Sequence, residues 1–413
     1  MIDGFYHGVE IVTLDNGIRT IQTAAASIIG VIGTAPDADE TAWPLNTPVR
    51  VLGESDRAKI AALAANTAEG EAPAGTLSDA LGDVLSVTSA TIVGIRVEEG
   101  ADDAGTMANL VGGTDADTGK RQGVEAFLAA ESTVGVKPRL LCAPGFSHQR
   151  PEDDASPGTY LANPVAAALV SVAERLRGVV IVDGPNTNDD DAVTAVEDFG
   201  SKRVFFHDPW YTLFDADSAA FVDRPGSARI CALIALNDQR RGWHTSPSNQ
   251  LVPGISGITR EIDYVQGDGS SRANFLNESN IATTIRDDGF RLWGNRTTSS
   301  DQRWAFLAHV RIADILNDSL AAAHRWAVDR NITKTYVEDV TGGVNAFINR
   351  LVAEGRIAGG RCFAPPELNT PADQLAGRAV FDFEFTPYGI AERVVFRSAF
   401  VDDYLVDFEQ LAA

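Results

Sequence analysis

The chain has 413 residues, 44% of them hydrophobic and 22% charged, a composition that builds more than one packed core rather than a disordered polymer. Its formal net charge of −23 argues against a nucleic-acid partner, because phosphates are met by Lys and Arg. No apolar run approaches the roughly 18–20 residues that a spanning helix needs, so no membrane insertion is expected.

The charge is uneven. Residues 1–250 carry 18 basic and 35 acidic side chains, whereas residues 270–361 carry 12 and 10. An acidic partner surface would meet least repulsion in the later stretch. Cys142, Cys231 and Cys362 lie far apart among apolar neighbours and read as buried free thiols. The opening MIDGFYHGVEIV has no basic segment followed by an apolar one, so no secretory signal is expected and synthesis is assigned to a cytoplasm.

In chain order, residues 1–25 read as an extended arm. Val9, Ile11, Thr13 and Leu14 belong to a weakly alternating run, Asp15-Asn16-Gly17 signals a type I′ turn, and a β-branched run containing Ile18 and Ile21 follows. Both an intramolecular hairpin and a strand lent to another subunit fit this pattern. From residue 26 to 250, apolar runs suited to buried strands (28–32, 91–97, 139–143, 179–182, 204–206) alternate with helix-like segments (55–65, 76–86, 122–130, 164–176, 189–199, 226–240). Such alternation predicts a layered α/β domain with a largely parallel sheet.

Residues 251–386 change character and read as an α+β unit. Strands are expected at 252–262 and 281–285, and residues 287–333 suggest a strand–loop–helix unit. A helix is predicted over 302–328. Another spans 337–353, with the stripe Val337, Val340, Val344, Phe347 and Leu351 and with Gly355 as its C-cap. Residues 380–385 alternate strictly, which sets Phe381, Phe383 and Phe385 on one face and acidic residues on the other. Pro387 and Gly389 break that strand. Residues 387–413 then read as a second β arm, with a β-rich run at 393–401 and an amphipathic tail, Tyr404 to Phe408.

Residue sets for catalysis are poor. Gly30 to Ala35 lacks both GxGxxG spacing and a Walker lysine. Ser147 and His148 lack the second glycine of a nucleophile elbow, and adjacent side chains do not readily form the activating hydrogen bond. The six histidines show no HExxH or paired spacing, so no transition metal is expected. Asn188 to Asp191, with Asp183 upstream, could attract calcium but lacks the EF-hand order and reads as a solvated helix N-terminus. No cofactor is expected. Two competing readings are an α/β hydrolase-like enzyme around Ser147 or Asp208, and an outer-surface protein that binds a host or a carbohydrate.

The stretches DGFRLWGNRT (Asp288–Thr297) and AAHRWAVDRNIT (Ala322–Thr333) closely resemble the tail sheath proteins of contractile temperate phages and R-type bacteriocins. YHGVEI (Tyr6–Ile11), IIGVIGTAPDAD (Ile28–Asp39), Trp43-Pro44-Leu45-Asn46, GVKPRLL (Gly135–Leu141) and GWHTSPSN (Gly242–Asn249) extend the likeness over essentially the whole chain. Residues 149–163 and 183–191 depart from it, being longer and more acidic. The resemblance implies a non-enzymatic subunit with an outer α/β domain and an inner assembly domain. It further implies hexameric rings stacked around an inner tail tube, which contract to drive the tube through a target envelope. The implied partners are further copies, the tube protein, the baseplate and the tail terminator, and the implied location is a virion tail assembled in the host bacterial cytoplasm.

Arms that exchange β-strands with neighbouring subunits are also implied. The arm strands are assigned to Val9, Ile11, Thr13, Leu14, Ile18, Ile21, Val394, Phe396 and Phe400, and the acceptor strand to Phe381, Phe383 and Phe385. Lys334, Arg350 and Arg356, near the ends of the 337–353 helix in the least acidic stretch, are the tube-facing candidates.

Overall fold

The computed structural model describes residues 20–401 except 69, 70, 72, 154, 216 and 217, so Val9, Ile11, Thr13, Leu14 and Ile18 lie outside the described residues, as does the 404–408 tail. Apart from a small ribbon of Gly113–Thr114 with Arg121–Gln122, the strands up to Trp293 follow in chain order as β1 (Ile29–Thr34), β2 (Pro48–Leu52), β3 (Thr91–Val97), β4 (Leu140–Cys142), β5 (Val179–Asp183), β6 (Val204–His207), β7 (Tyr211–Asp215), β8 (Ala220–Arg224), β9 (Gly257–Ile258), β10 (Ile281–Arg286) and β11 (Phe290–Trp293). Eight of them make one sheet in the order β11-β10-β6-β5-β4-β1-β3-β2. Neighbours from β10 to β3 are parallel, and antiparallel β11 and β2 close the two edges. The largely parallel sheet expected from the apolar runs is present.

Period-two projection divides these strands between two cores. Ile29, Val31, Leu140, Cys142, Val179, Ile181 and Phe205 share one. Ile32, Leu141, Val180, Val182, Val204 and Phe206 share the other. Helices α1 (Leu77–Val87), α2 (Asp103–Val111), α3 (Pro164–Leu176), α4 (Asp189–Val196) and α5 (Ser227–Arg241) cover them. α1 and α5 lie on the first face, and α2, α3 and α4 on the second. α3 starts where expected because Pro164 fits the first helical turn and Asn163 accepts a hydrogen bond from the Ala166 amide at 2.8 Å. Cys142, Cys231 and Cys362 are buried and free.

Three features differ from the sequence reading. Residues 122–130 form mostly a 3-10 helix. The strand expected at 252–262 shrinks to β9, since Pro253 and Gly254 interrupt it, and only Gly257 and Ile258 pair with β7. β10 and β11 lie beyond residue 250 yet complete the large sheet, so that unit continues to Trp293.

The remainder comprises α6 (Leu307–Ala323), α7 (Lys334–Ala353), β12 (Gly359–Phe363) and β13 (Asp382–Thr386). Ile312, Ile315, Leu316, Val344, Phe347, Ile348 and Leu351 form its core, joined by Ile21 and Trp243. α6 is shorter than predicted because Phe306 is extended (φ −91, ψ 128) and forces the start to Leu307. Leu307 and Val310 belong to the first sheet core while Ile312, Ile315 and Leu316 belong to the C-terminal core, so α6 is buried nearly all round. α7 shows the expected one-sided stripe; Thr333 caps it, and Gly355 (φ 70) follows it in the left-handed region.

Candidate assembly surfaces

Where the two units meet, residues 20–28 run as a strap across the joint. The Arg350 guanidinium donates to the Ile21 carbonyl at 2.5 Å, and the Ala24 amide donates to Ser319 Oγ at 2.9 Å. Arg311 donates to the Ala26 carbonyl and, in a two-point ion pair, to Asp238, which also accepts from Ser27 Oγ at 2.7 Å. Lower on α6, Asp314 pairs with Arg203, while Asp318 faces Arg139, Arg177 (2.6 Å) and Lys137 (3.6 Å). These four cations lie just before β4, β5 and β6, so α6 is bolted across the amino ends of the parallel strands. Burial pushes the Asp314 carboxyl up to about 6, opposed by Arg203. The sequence reading missed this cluster: its members are scattered along the chain and form no local pattern.

The joint changes the position of several predicted residues. Ile21, assigned to an arm, is 4% exposed and packs in the C-terminal core of its own chain. Arg350 is spent on the strap. Arg356 lies 5.6 Å from the Trp243 ring centroid and pairs with Glu354 at 2.6 Å. Of the tube-facing candidates only Lys334 stands well out in solvent, 89% exposed and loosely paired with Glu338 at 3.6 Å.

β12 and β13 form an antiparallel ribbon in the register Gly359↔Thr386 to Phe363↔Asp382. Phe381, Phe383 and Phe385 are half-buried against the C-terminal core, as their alternation implied. No third strand pairs with either edge of the ribbon among the described residues. A groove of about 1100 Å³ opens beside it, lined by Leu320, Ile332, Tyr336, Leu375, Phe381 and Phe383 among others. Beyond β13, residues 391–401 are all exposed and form no ladder among the described residues. Val394, Phe396 and Phe400 are 67%, 92% and 102% exposed, at positions that share one side of an extended chain. Burying one such Phe is worth ~2–3 kcal/mol, so this run carries an unused driving force for association.

The carboxyl ends of the parallel strands, where α/β enzymes bind ligands, are filled with structural contacts. Ser147 Oγ donates to Asp183 at 3.2 Å and accepts from the Asp183 amide at 3.1 Å, so both of its capacities are used. Asp183 in turn accepts from the Ser227 amide (2.7 Å) and hydroxyl (2.5 Å) at the start of α5, and complete burial pushes its carboxyl up to about 6. Asp189 and Asp208 both pair with Arg260, and Asp189 also accepts from Arg272 at 2.8 Å. Beside β1, Thr34 and Thr76 exchange hydrogen bonds at 3.3 and 3.4 Å. A Cβ on Gly75 (φ +91) would lie 2.4 Å from the Thr34 carbonyl oxygen, so the two backbone segments pack directly against each other there.

His207 is fully buried at the end of β6, its Nε2 shared between Thr284 Oγ1 (3.1 Å) and the Tyr211 hydroxyl (3.2 Å). Burial lowers its pKa to about 3, so it folds neutral. The unfolded imidazole binds its proton near pH 6.5, so this contribution to stability is complete above that pH and is lost as pH falls toward 3. His207→Gln should therefore be less stable than wild type at pH 7. The gap should narrow by about 2 kcal/mol at pH 5, because glutamine has no proton to bind. Urea unfolding at both pH values checks this; a gap that widens would refute it. Asp183 titrates in both proteins and cancels from the difference.

Comparison with known proteins gives this geometry a family. Residues 119–298 match the phage tail sheath protein central domain and residues 299–400 the phage tail sheath C-terminal domain. A prophage major tail sheath protein of Pseudomonas aeruginosa (strain UCBPP-PA14) is 38% identical over 99% of this chain and 100% of its own length. The tail sheath protein of Escherichia phage P2 is 32% identical over 98% of this chain and 97% of its own. Among solved structures, the contracted helical sheath of the anti-feeding prophage aligns with a TM-score of 0.68 at 17% identity, covering 95% of this chain and 98% of that one. The contracted PVC sheath of an extracellular contractile injection system gives 0.66 at 16%, covering 97% and 98%. The chain belongs to the phage tail sheath family, the structural subunits of contractile tails.

Proposed function

We propose that this subunit polymerises as stacked hexameric rings around an inner tail tube and contracts to drive the tube through a target cell envelope. The observation that carries this reading is a pair of incomplete elements in one chain. Among the described residues the β12–β13 ribbon has unpaired edges, and Val394, Phe396 and Phe400 form an exposed apolar run with no partner strand. An open edge is a liability that a borrowed strand removes. A neighbour's arm adding about six to eight backbone hydrogen bonds at ~0.5–1.5 kcal/mol each makes a link of several kcal/mol. Such links persist while weaker ring-to-ring contacts slide, and the energy for contraction is stored at assembly.

In this reading the N-terminal arm carries Val9, Ile11, Thr13, Leu14 and Ile18, and the strap from Ile21 onward anchors it. The large-sheet unit lies outside and the C-terminal unit faces the tube, with Lys334 as the exposed cation toward it. The baseplate and a tail terminator bound the polymer, which is assembled in the host cytoplasm and resides in the virion tail.

Deleting residues 1–19, or residues 394–413, should each leave a soluble monomer with unchanged circular dichroism that no longer forms tubes in negative-stain images. Long sheaths from either deletion would reject strand exchange. Lys334→Glu should weaken sheathing of the tube more than sheath self-assembly, and equal loss of both would reject the tube-facing assignment.

A further inference from the structure

Arg296, in the loop after β11, reaches a residue 96 positions further along the chain. Its Nε and Nη2 donate to Glu392 Oε1 and Oε2 at 2.7 and 2.6 Å, the two-point fork that a guanidinium and a carboxylate form best. The guanidinium also lies 5.5 Å from the Phe306 ring centroid. Phe306 in turn meets the His309 ring edge-on at 5.2 Å. His309 Nε2 lies 3.1 Å from the Tyr388 carbonyl oxygen and donates to it when that nitrogen carries the proton. The segment Tyr388–Glu392 is thus tied at two points, to the loop after β11 by Arg296 and to the first turn of α6 by His309. Past the second tie the chain is exposed through Val401.

We propose that Arg296, Glu392 and His309 are positioning residues for assembly, aiming the C-terminal arm so that Val394, Phe396 and Phe400 leave the subunit in one direction. This rests on the strand-exchange reading and adds to it the part of the chain that sets the arm's geometry. It also gives a role to the Asp288–Thr297 block, whose Arg296 is spent on the root of the arm rather than on the core. Without the ties the chain pivots after β13, around Pro387 and Gly389, and a neighbour must order the root as well as the arm. With them the root is ordered before docking. The Arg296 and Glu392 side chains are 37% and 39% exposed, so salt should weaken the clamp.

The test uses the full chain with Arg296→Gln, Glu392→Gln, His309→Ala and the exchange variant Arg296→Glu/Glu392→Arg. Monomer melting and the concentration at which sheaths appear by light scattering are measured for each. Each single change should raise that concentration roughly fivefold with melting unchanged, and the exchange should restore it to within about twofold. High salt should raise the wild-type threshold and leave Glu392→Gln unmoved. The clamp is overturned if Glu392→Gln and His309→Ala both assemble at the wild-type concentration, or if the exchange variant is no better than the singles. Strand exchange itself fails on a different result, polymerisation after deletion of 394–413, so the two ideas can fall separately.

Discussion

Asp238→Ala is expected to destabilise the folded subunit by about 3–5 kcal/mol, the cost of stranding a buried cation. The Arg311 and Asp238 side chains are only 5% and 4% exposed. With the carboxylate gone, Arg311 keeps its place on α6 without a counter-charge, and Ser27 loses the acceptor that fastens the strap. Asp238→Asn should cost less, because one oxygen still accepts. The informative comparison is Arg311→Met/Asp238→Leu, in which both charges leave together. Apolar replacement of a whole buried pair is often neutral or stabilising, so the double variant should recover most of the loss. Urea unfolding of the monomer reads all three. A single alanine variant within 1 kcal/mol of wild type would mean that this pair does not hold the joint.

Trp43→Ala should cost about 3–5 kcal/mol by leaving a large cavity. Trp43 is fully buried, its indole N–H donates to the Lys59 carbonyl at 2.8 Å, and the Cζ3–Cη2 edge of its ring lies against Gly94 in the middle of β3. A Cβ at Gly94 would sit 2.6 Å from the ring Cζ3 and 2.9 Å from Cη2, closer than packed atoms allow. Gly94→Ala should therefore cost about 1–3 kcal/mol through overpacking, although alanine suits a strand better than glycine does. If the two positions share one volume, Gly94→Ala/Trp43→Leu will lose less than the sum of its single changes. Strict additivity in denaturant titrations would show that the ring and the strand do not compete for space.

The arm residues Val394, Phe396 and Phe400 were legible as a β-rich run, yet among the described residues they join no strand ladder. A strand pattern states what a segment buries when it pairs, not whose edge it meets. Ile21 shows the converse: the same β-branched pattern that suggested a lent strand is satisfied in this chain's own core. Arg350 and Arg356 lie in the least acidic stretch, but charge counts do not reveal that one guanidinium is committed to the Ile21 carbonyl and the other to Trp243 and Glu354.

What the amino-acid sequence determined alone was the identity and order of the elements whose burial repeats locally. The parallel strands β1 and β3 to β6, the capped start of α3, the one-sided stripe of α7 and the alternating Phe383 and Phe385 are of this kind. Periods of two and 3.6 residues are short-range consequences of backbone geometry, so they are written into neighbouring positions. Only the tertiary structure decided that β10 and β11 finish the large sheet, that α6 is buried on nearly every side, and that Arg203 and Asp314, 111 residues apart, face each other at its base. Those outcomes depend on which distant surfaces meet, and contacts between segments so far apart leave no period for a reader of the chain to find.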